Sequence, residues 1–207
     1  MSVNNDEMLH KILDHISGMG YIKPEDIPNI NLYMDQVTTF MEEHLAYSKR
    51  YKDDKILTKT MINNYAKNNL LPSPEKKRYT REHMLMLIFI YYFKNILSIN
   101  DIQSLLGPLT DRYFRSENDM NLTDIYNEVF SMEKGELDAL KKELIERYDI
   151  AQGTFENAPK EDQDFLKLFS FICLLSFDVY IKKMLIEKMI DELRSDSSAD
   201  PKPKHTK

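Results

Sequence analysis

The chain has 207 residues, a formal net charge of −6, 42% hydrophobic residues, five Gly, no Trp and one Cys. That length suits one domain of ordinary size, or a small domain with an appendage, and the apolar content is enough for a core. The acidic balance argues against a general nucleic-acid binder, Cys173 alone excludes an internal disulfide and a cysteine zinc cluster, and scarce Gly with few alternating apolar runs argues against a sheet-rich fold.

Taken in order, residues 5–17 read as an amphipathic helix with Met8, Leu9, Ile12, Leu13 and Ile16 on one side, stopped by Gly18 and Gly20. This helix is expected to pack on the module that follows. Pro24 and Pro28 bracket a turn. Asn31 is placed to cap a helix carrying Tyr33, Val37, Phe40, Met41 and Leu45. Ala46–Ile56 is long and charged: either that helix is extended or the turn after it contains an insertion. Thr58 caps a helix running to about Asn68, with Met61, Ile62 and Tyr65 inward and Lys59, Thr60, Asn63, Asn64 and Lys67 outward. Asn69 stands where a left-handed C-cap is needed. Leu70-Leu71 leads into Pro72-Ser73-Pro74-Glu75, which cannot be helical, and Lys76-Lys77-Arg78-Tyr79 returns from it. Thr80 caps the next, densely apolar helix.

Ser98 and Asp101 form an N-terminal capping pair, and Gly107-Pro108 predicts the end of that helix. Residues 110–120 read as a polar connector. A helix from Thr123 to about Tyr148 follows, weakened at Gly135 by about 1 kcal/mol relative to Ala. Ile150–Ala158 reads as a loop, and the last helix is expected from about Lys160 to Arg194. Its section Phe165–Ile181 is apolar nearly all round, yet Lys167, Asp178, Lys182 and Lys183 leave no uncharged run long enough to span a bilayer. Such a helix needs cover on every side, and a second copy of itself would supply it. Phe165, Leu168, Phe169, Ile172, Leu175 and Val179 are the candidate dimer contacts, and Cys173 within this run is expected to be a buried, inert thiol.

Charge is unevenly placed. Residues 46–83 hold ten Lys and Arg against four Asp and Glu, whereas residues 1–45 hold two against eight. The positive charge therefore surrounds the Thr58 helix and the turn after it.

Thr58, Tyr65, Leu70-Leu71-Pro72 and Arg78-Tyr79-Thr80 stand in the order found in MerR-type winged-helix regulators, and this segment resembles their DNA-binding half. Ser98–Leu106 matches in place and pattern the fourth helix of such domains. Two positions depart: Asn63 stands where those proteins usually carry Arg, and Asn69 where they carry Gly. Roughly the first two-thirds of the chain also resembles a bacterial family called domain of unknown function 1836. The fold implied is mainly α: a MerR-like winged helix-turn-helix module with a small hairpin wing, followed by long C-terminal helices. The expected organisation is an N-terminal helix at 1–29, the winged-helix DNA-binding domain at 30–107, a helical dimerisation or effector region at 108–194 and a disordered tail at 195–207.

The resemblance implies a homodimeric transcriptional regulator. Thr58, Lys59, Thr60, Asn63, Asn64, Lys67, Lys76, Lys77, Arg78 and Tyr79 are then the candidate contacts to double-stranded DNA. A second reading keeps the winged helix as a protein–protein interaction module. His10, His15, His44, His83 and His205 form no zinc-binding helical pair, and no phosphate loop or nucleophile elbow occurs, so neither an enzyme nor a metal or other cofactor is expected. No residue pattern points to a small-molecule effector. The N-terminus lacks a basic stretch followed by an apolar one, so no signal peptide is expected and a cytoplasmic location is the default.

Overall fold

The computed structural model describes residues 4–18, 20–116 and 120–199, and most of them are helical. The helices are α1 (Asn5–Ser17), α2 (Met34–Leu45), α3 (Lys59–Lys67), α4 (Arg81–Phe93), α5 (Ile99–Tyr113), α6 (Leu122–Ser131), α7 (Glu133–Gln152) and α8 (Lys160–Ala199). Two short strands, β1 (Leu32–Tyr33) and β2 (Arg78–Tyr79), pair antiparallel with Leu32 opposite Tyr79 and Tyr33 opposite Arg78. The chain divides into two compact units. One takes Met1–Tyr21 and Val129–Lys182; the other takes Ile22–Glu128 and the chain from Lys183 onward. Among the described residues no helix is long and apolar enough to cross a membrane.

The larger unit is built on α4, where every residue from His83 to Tyr91 is buried. An apolar sequence without a polar stripe forms a stable helix only inside a core. Val37, Phe40, Met41 and Leu45 of α2, Ile62 and Tyr65 of α3, and Ile102 and Leu106 of α5 are buried in the same unit. Each large apolar side chain removed from water contributes about 1.5–3 kcal/mol. Tyr126 of α6 stacks edge-on against Phe89 at 5.5 Å and donates its hydroxyl hydrogen to the Ile22 carbonyl at 2.6 Å. Near the end of α8, Arg194 bonds Asp101 at 2.7 Å and Ser104 at 2.8 Å.

The smaller unit joins α1 to α7 and the first part of α8. Leu9, Leu144, Tyr148, Ala151 and Phe171 form its buried cluster, with Leu13, Ile16, Leu174 and Leu175 packed around it. Tyr148 donates its hydroxyl hydrogen to Asp6 at 2.6 Å, and Asn5 donates to the Asp164 carbonyl at 3.0 Å. The apolar stripe of α1 thus packs with α7 and α8 inside this unit.

Several boundaries differ from expectation for identifiable reasons. Gly107-Pro108 does not end α5, which continues to Tyr113 with Pro108 inside. Proline disfavours the helical region for its predecessor by crowding that residue's Cβ, and Gly107 has none. Residues 110–113 are therefore helix and not connector. The helix expected from Thr123 to Tyr148 is divided at Met132 into α6 and α7, with Gly135 inside α7. Its two parts serve different cores: Leu122 and Tyr126 are buried in the larger unit, Leu144 and Tyr148 in the smaller. Asn31 is not a cap, because Leu32 and Tyr33 are taken into the sheet and Tyr33 becomes the N-cap of α2. Gln36 accepts the Tyr33 backbone N–H at 2.9 Å. After α2 comes a 3-10 turn, Ala46–Ser48, and then a loop, so α2 is not extended through this segment.

α7 runs to Gln152, past the expected start of its loop, and α8 runs to Ala199. The Ser195 hydroxyl returns a hydrogen bond to the Glu192 carbonyl at 2.8 Å, which lets a polar residue sit in the helix. The rest of the expected tail, 200–207, lies outside the described residues. Cys173 is exposed and not buried, because it lies on the open face of α8.

Candidate nucleic-acid interface

The site begins at Thr58, whose hydroxyl oxygen accepts the Met61 N–H at 3.1 Å and starts α3. Ile62 and Tyr65 anchor the helix in the core, and Lys59, Thr60, Asn63, Asn64 and Lys67 are left exposed on its other side. α3 closes at Asn69, which takes the left-handed conformation at φ 55°. The Leu70 N–H then reaches the Tyr65 carbonyl at 2.8 Å. This is the C-terminal motif usually served by Gly, and Asn tolerates it. Buried Leu70 and Leu71 lead the chain out into Pro72.

The turn that follows is tight. The Arg78 N–H donates to the Glu75 carbonyl at 2.8 Å across Lys76 and Lys77, whose φ values are 49° and 61°. Two positive φ angles define the mirror-image turn that Asn-Gly or Asp-Gly ordinarily fills. Two lysines held there cost about 1–2 kcal/mol each, and both are exposed. Among the described residues neither Lys76 nor Lys77 has a carboxylate partner. Glu75, the acid beside them, is paired with Arg115.

The expected hairpin over 72–79 takes another form. Glu75 and Arg78 make one bridge, while the returning strand β2 pairs with β1 far upstream. Pro72 and Pro74 have no N–H to donate, so the outgoing arm cannot supply a ladder. On β2 the two residues part company. Arg78 is exposed, with its guanidinium over the Tyr33 ring at 5.6 Å, whereas Tyr79 is 3% exposed. The sequence marks Tyr79 as a DNA contact; its ring instead faces the core, as the alternation of a strand requires.

Beneath the turn sits His83, fully buried and held edge-on between Tyr79 at 5.6 Å and Phe114 at 4.8 Å. The Thr80 backbone N–H donates to its Nδ1 at 3.0 Å, so this histidine replaces the Glu or Gln usual in a capping box. Burial first, and the charge of Arg115 second, lower its pKa from 6.5 to about 4, although Glu82 and the carbonyls of Pro72 and Ser73 oppose the shift. The imidazole is therefore neutral at physiological pH. In the sequence His83 stands out only as a histidine without a metal partner; its place at the third position after Thr80 is the signal that marks it as a capping residue.

Acids also border the site. Lys59 pairs with Asp35 of α2, and Glu42 and Glu43 line an open groove with Lys55, Thr58 and Lys59. The open groove holds two acids beside two lysines, so its charge is mixed.

The candidate dimer residues lie in the smaller unit. Phe165, Phe169, Ile172 and Val179 are 66%, 51%, 50% and 64% exposed. Leu168 is half-buried, and Leu175 packs on the intramolecular cluster. Only Phe171 of the Phe165–Ile181 section is buried within the chain, so most of the apolar circumference that the sequence marked for cover is open.

No curated protein and no solved structure matches the chain. A family match spans residues 22–129, nearly the same bounds as the Ile22–Glu128 part of the larger unit. The chain belongs to the family described as Domain of unknown function (DUF1836).

Proposed function

We propose that the chain is a sequence-specific transcriptional regulator that binds double-stranded DNA as a homodimer, through a MerR-like winged helix, in the cytoplasm. The observation that carries this reading is the pairing of α3 with the strained lysine turn. α3 offers Thr60, Asn63 and Asn64, polar and uncharged, on its exposed face. In a major groove the two asparagines would reach base edges, since Asn pairs bidentately with adenine. Lys76, Lys77 and Arg78 would hold phosphates and set the register. Lys59 and Lys67 flank the face with further phosphate contacts. Thr58 acts through its cap. The exposed Phe165, Phe169, Ile172 and Val179 face of α8 supports self-association, because leaving four large apolar side chains in water is costly. The reading assigns no catalytic residue and no cofactor.

One observation favours a protein partner over DNA: Asp35, Glu42 and Glu43 lie beside the start of α3. A binding selection from random duplexes at low and moderate salt separates the two readings. An enriched sequence supports the regulator; none supports the protein-interaction module. Sedimentation of the full chain at micromolar concentration tests the dimer, and a monomer refutes it.

A further inference from the structure

The long loop between α2 and α3 is polar, yet it is fastened at many points. The Tyr47 hydroxyl meets that of Tyr92 at 3.2 Å, and Ser48 bonds the Tyr91 hydroxyl. Lys49 pairs with Glu42. Lys94, the residue that follows α4, donates to the Ile56 carbonyl at 2.7 Å. A tight turn closes the tip: Asp54 N–H donates to the Tyr51 carbonyl at 3.0 Å, and the Tyr51 N–H donates to the Asp54 carboxylate at 2.9 Å. Ordering a backbone costs about 1–2 kcal/mol per residue. These hydrogen bonds, with Ile56 and Leu57 buried at the base of the loop, offset that cost and hold the tip in one shape.

What the tip displays is specific. Arg50, Tyr51, Lys52 and Asp53 are all exposed or nearly so, and the Arg50 guanidinium lies over the Tyr51 ring at 5.3 Å. The Asp54 carboxylate is turned into the loop as an acceptor, which leaves Asp53 as the outward acid against Arg50, Lys52 and Lys55. Lys55 lines the same open groove as Thr58 and Lys59, so the base of the loop and the start of α3 share one surface. Glu42 and Glu43 also line that groove.

Resting on the DNA-binding reading above, we propose that this loop is a second phosphate clamp: Arg50, Lys52 and Lys55 hold the backbone of the duplex that α3 reads, with Tyr51 packed against the strand. A planar guanidinium braced on an aromatic ring is preorganised for bidentate phosphate contact, and a phenol can donate to the same group. The long turn is then an additional binding surface and no obstacle to docking.

The test uses the full chain and a duplex of genomic sequence. Arg50→Ala/Lys52→Ala/Lys55→Ala should flatten the slope of log K against log salt by about 0.9 for each phosphate no longer neutralised, so by up to about 2.7 per protomer. Lys76→Ala/Lys77→Ala serves as the parallel variant in the turn. Flattening by both supports the clamp. Flattening by the turn variant alone overturns the clamp and leaves the DNA reading standing, flattening by neither overturns the clamp and removes the turn from the interface, and no binding by the wild-type chain overturns the DNA reading itself. The chain has no Trp, so Tyr51→Trp provides a single fluorescent reporter at the tip. Its emission should change and saturate as duplex is added. Emission unchanged at saturating duplex overturns the clamp even if the triple variant loses affinity by misfolding.

Discussion

The strain in the Lys76-Lys77 turn makes a prediction in which stability and binding move in opposite directions. Both residues have positive φ, 49° and 61°. A side chain in that region costs about 1–2 kcal/mol. Lys76→Asn/Lys77→Gly installs the pair that this turn type prefers. Glycine returns roughly 0.4–1 kcal/mol of entropy to the unfolded chain, and asparagine keeps part of the strain, so the net gain is about 1–2 kcal/mol. For a chain of this size that raises the melting temperature by about 2–4 °C per kcal/mol. The same variant removes two outward cations, so the salt slope for DNA should flatten by about 1.8 per protomer. Thermal unfolding followed by circular dichroism measures the first effect and fluorescence anisotropy across a salt series the second. A variant that melts lower refutes the strain. One that melts higher but keeps the wild-type slope removes the turn from the DNA interface.

Asn63→Ala and Asn64→Ala should each leave the melting temperature unchanged or slightly raised, since Asn is a poor helix former. Each should weaken binding to the selected sequence by roughly 1–3 kcal/mol while binding to random DNA stays the same; equal losses on both would refute base contact. His83 is neutral in the fold with a pKa of about 4, against 6.5 for an unperturbed imidazole. The unfolded chain therefore binds the extra proton first, and stability should fall by about 3 kcal/mol as pH drops from 6.5 to 4. His83→Gln keeps an N3 acceptor for the Thr80 N–H without the titration, so its urea midpoint should vary less across that window, and an identical pH profile would refute the assignment. Phe169→Glu/Ile172→Glu places two charges on an exposed face, so the monomer should fold as before; sedimentation should show loss of the dimer, and a dimer that persists would put the interface elsewhere.

The local features of the site are legible in the sequence because they close within a few residues. Thr58 and Ser98 cap their helices with their own hydroxyls, and Asn69 ends α3 by adopting a conformation that few residues tolerate. The exposed set on α3 follows from helical periodicity alone. The apolar density of α4 marks it as the centre of a core before any neighbour is known.

What tertiary structure decided involves partners far apart in the chain. The return strand could pair with the arm before it or with Leu32–Tyr33, far upstream. The two prolines and the burial of Tyr79 settled it, and with it the loss of Tyr79 as a surface residue. Pro108 reads as a stop on local grounds, yet α5 passes through it because Gly107 relieves the crowding and Ile102 and Leu106 are buried. α1 carries a stripe that fits any apolar surface; only the shape of the cluster around Tyr148 and Phe171 selects α7 and α8 to cover it. Periodicity specifies which face of a helix is buried. Which surface buries it depends on packing, and packing is a property of the whole chain.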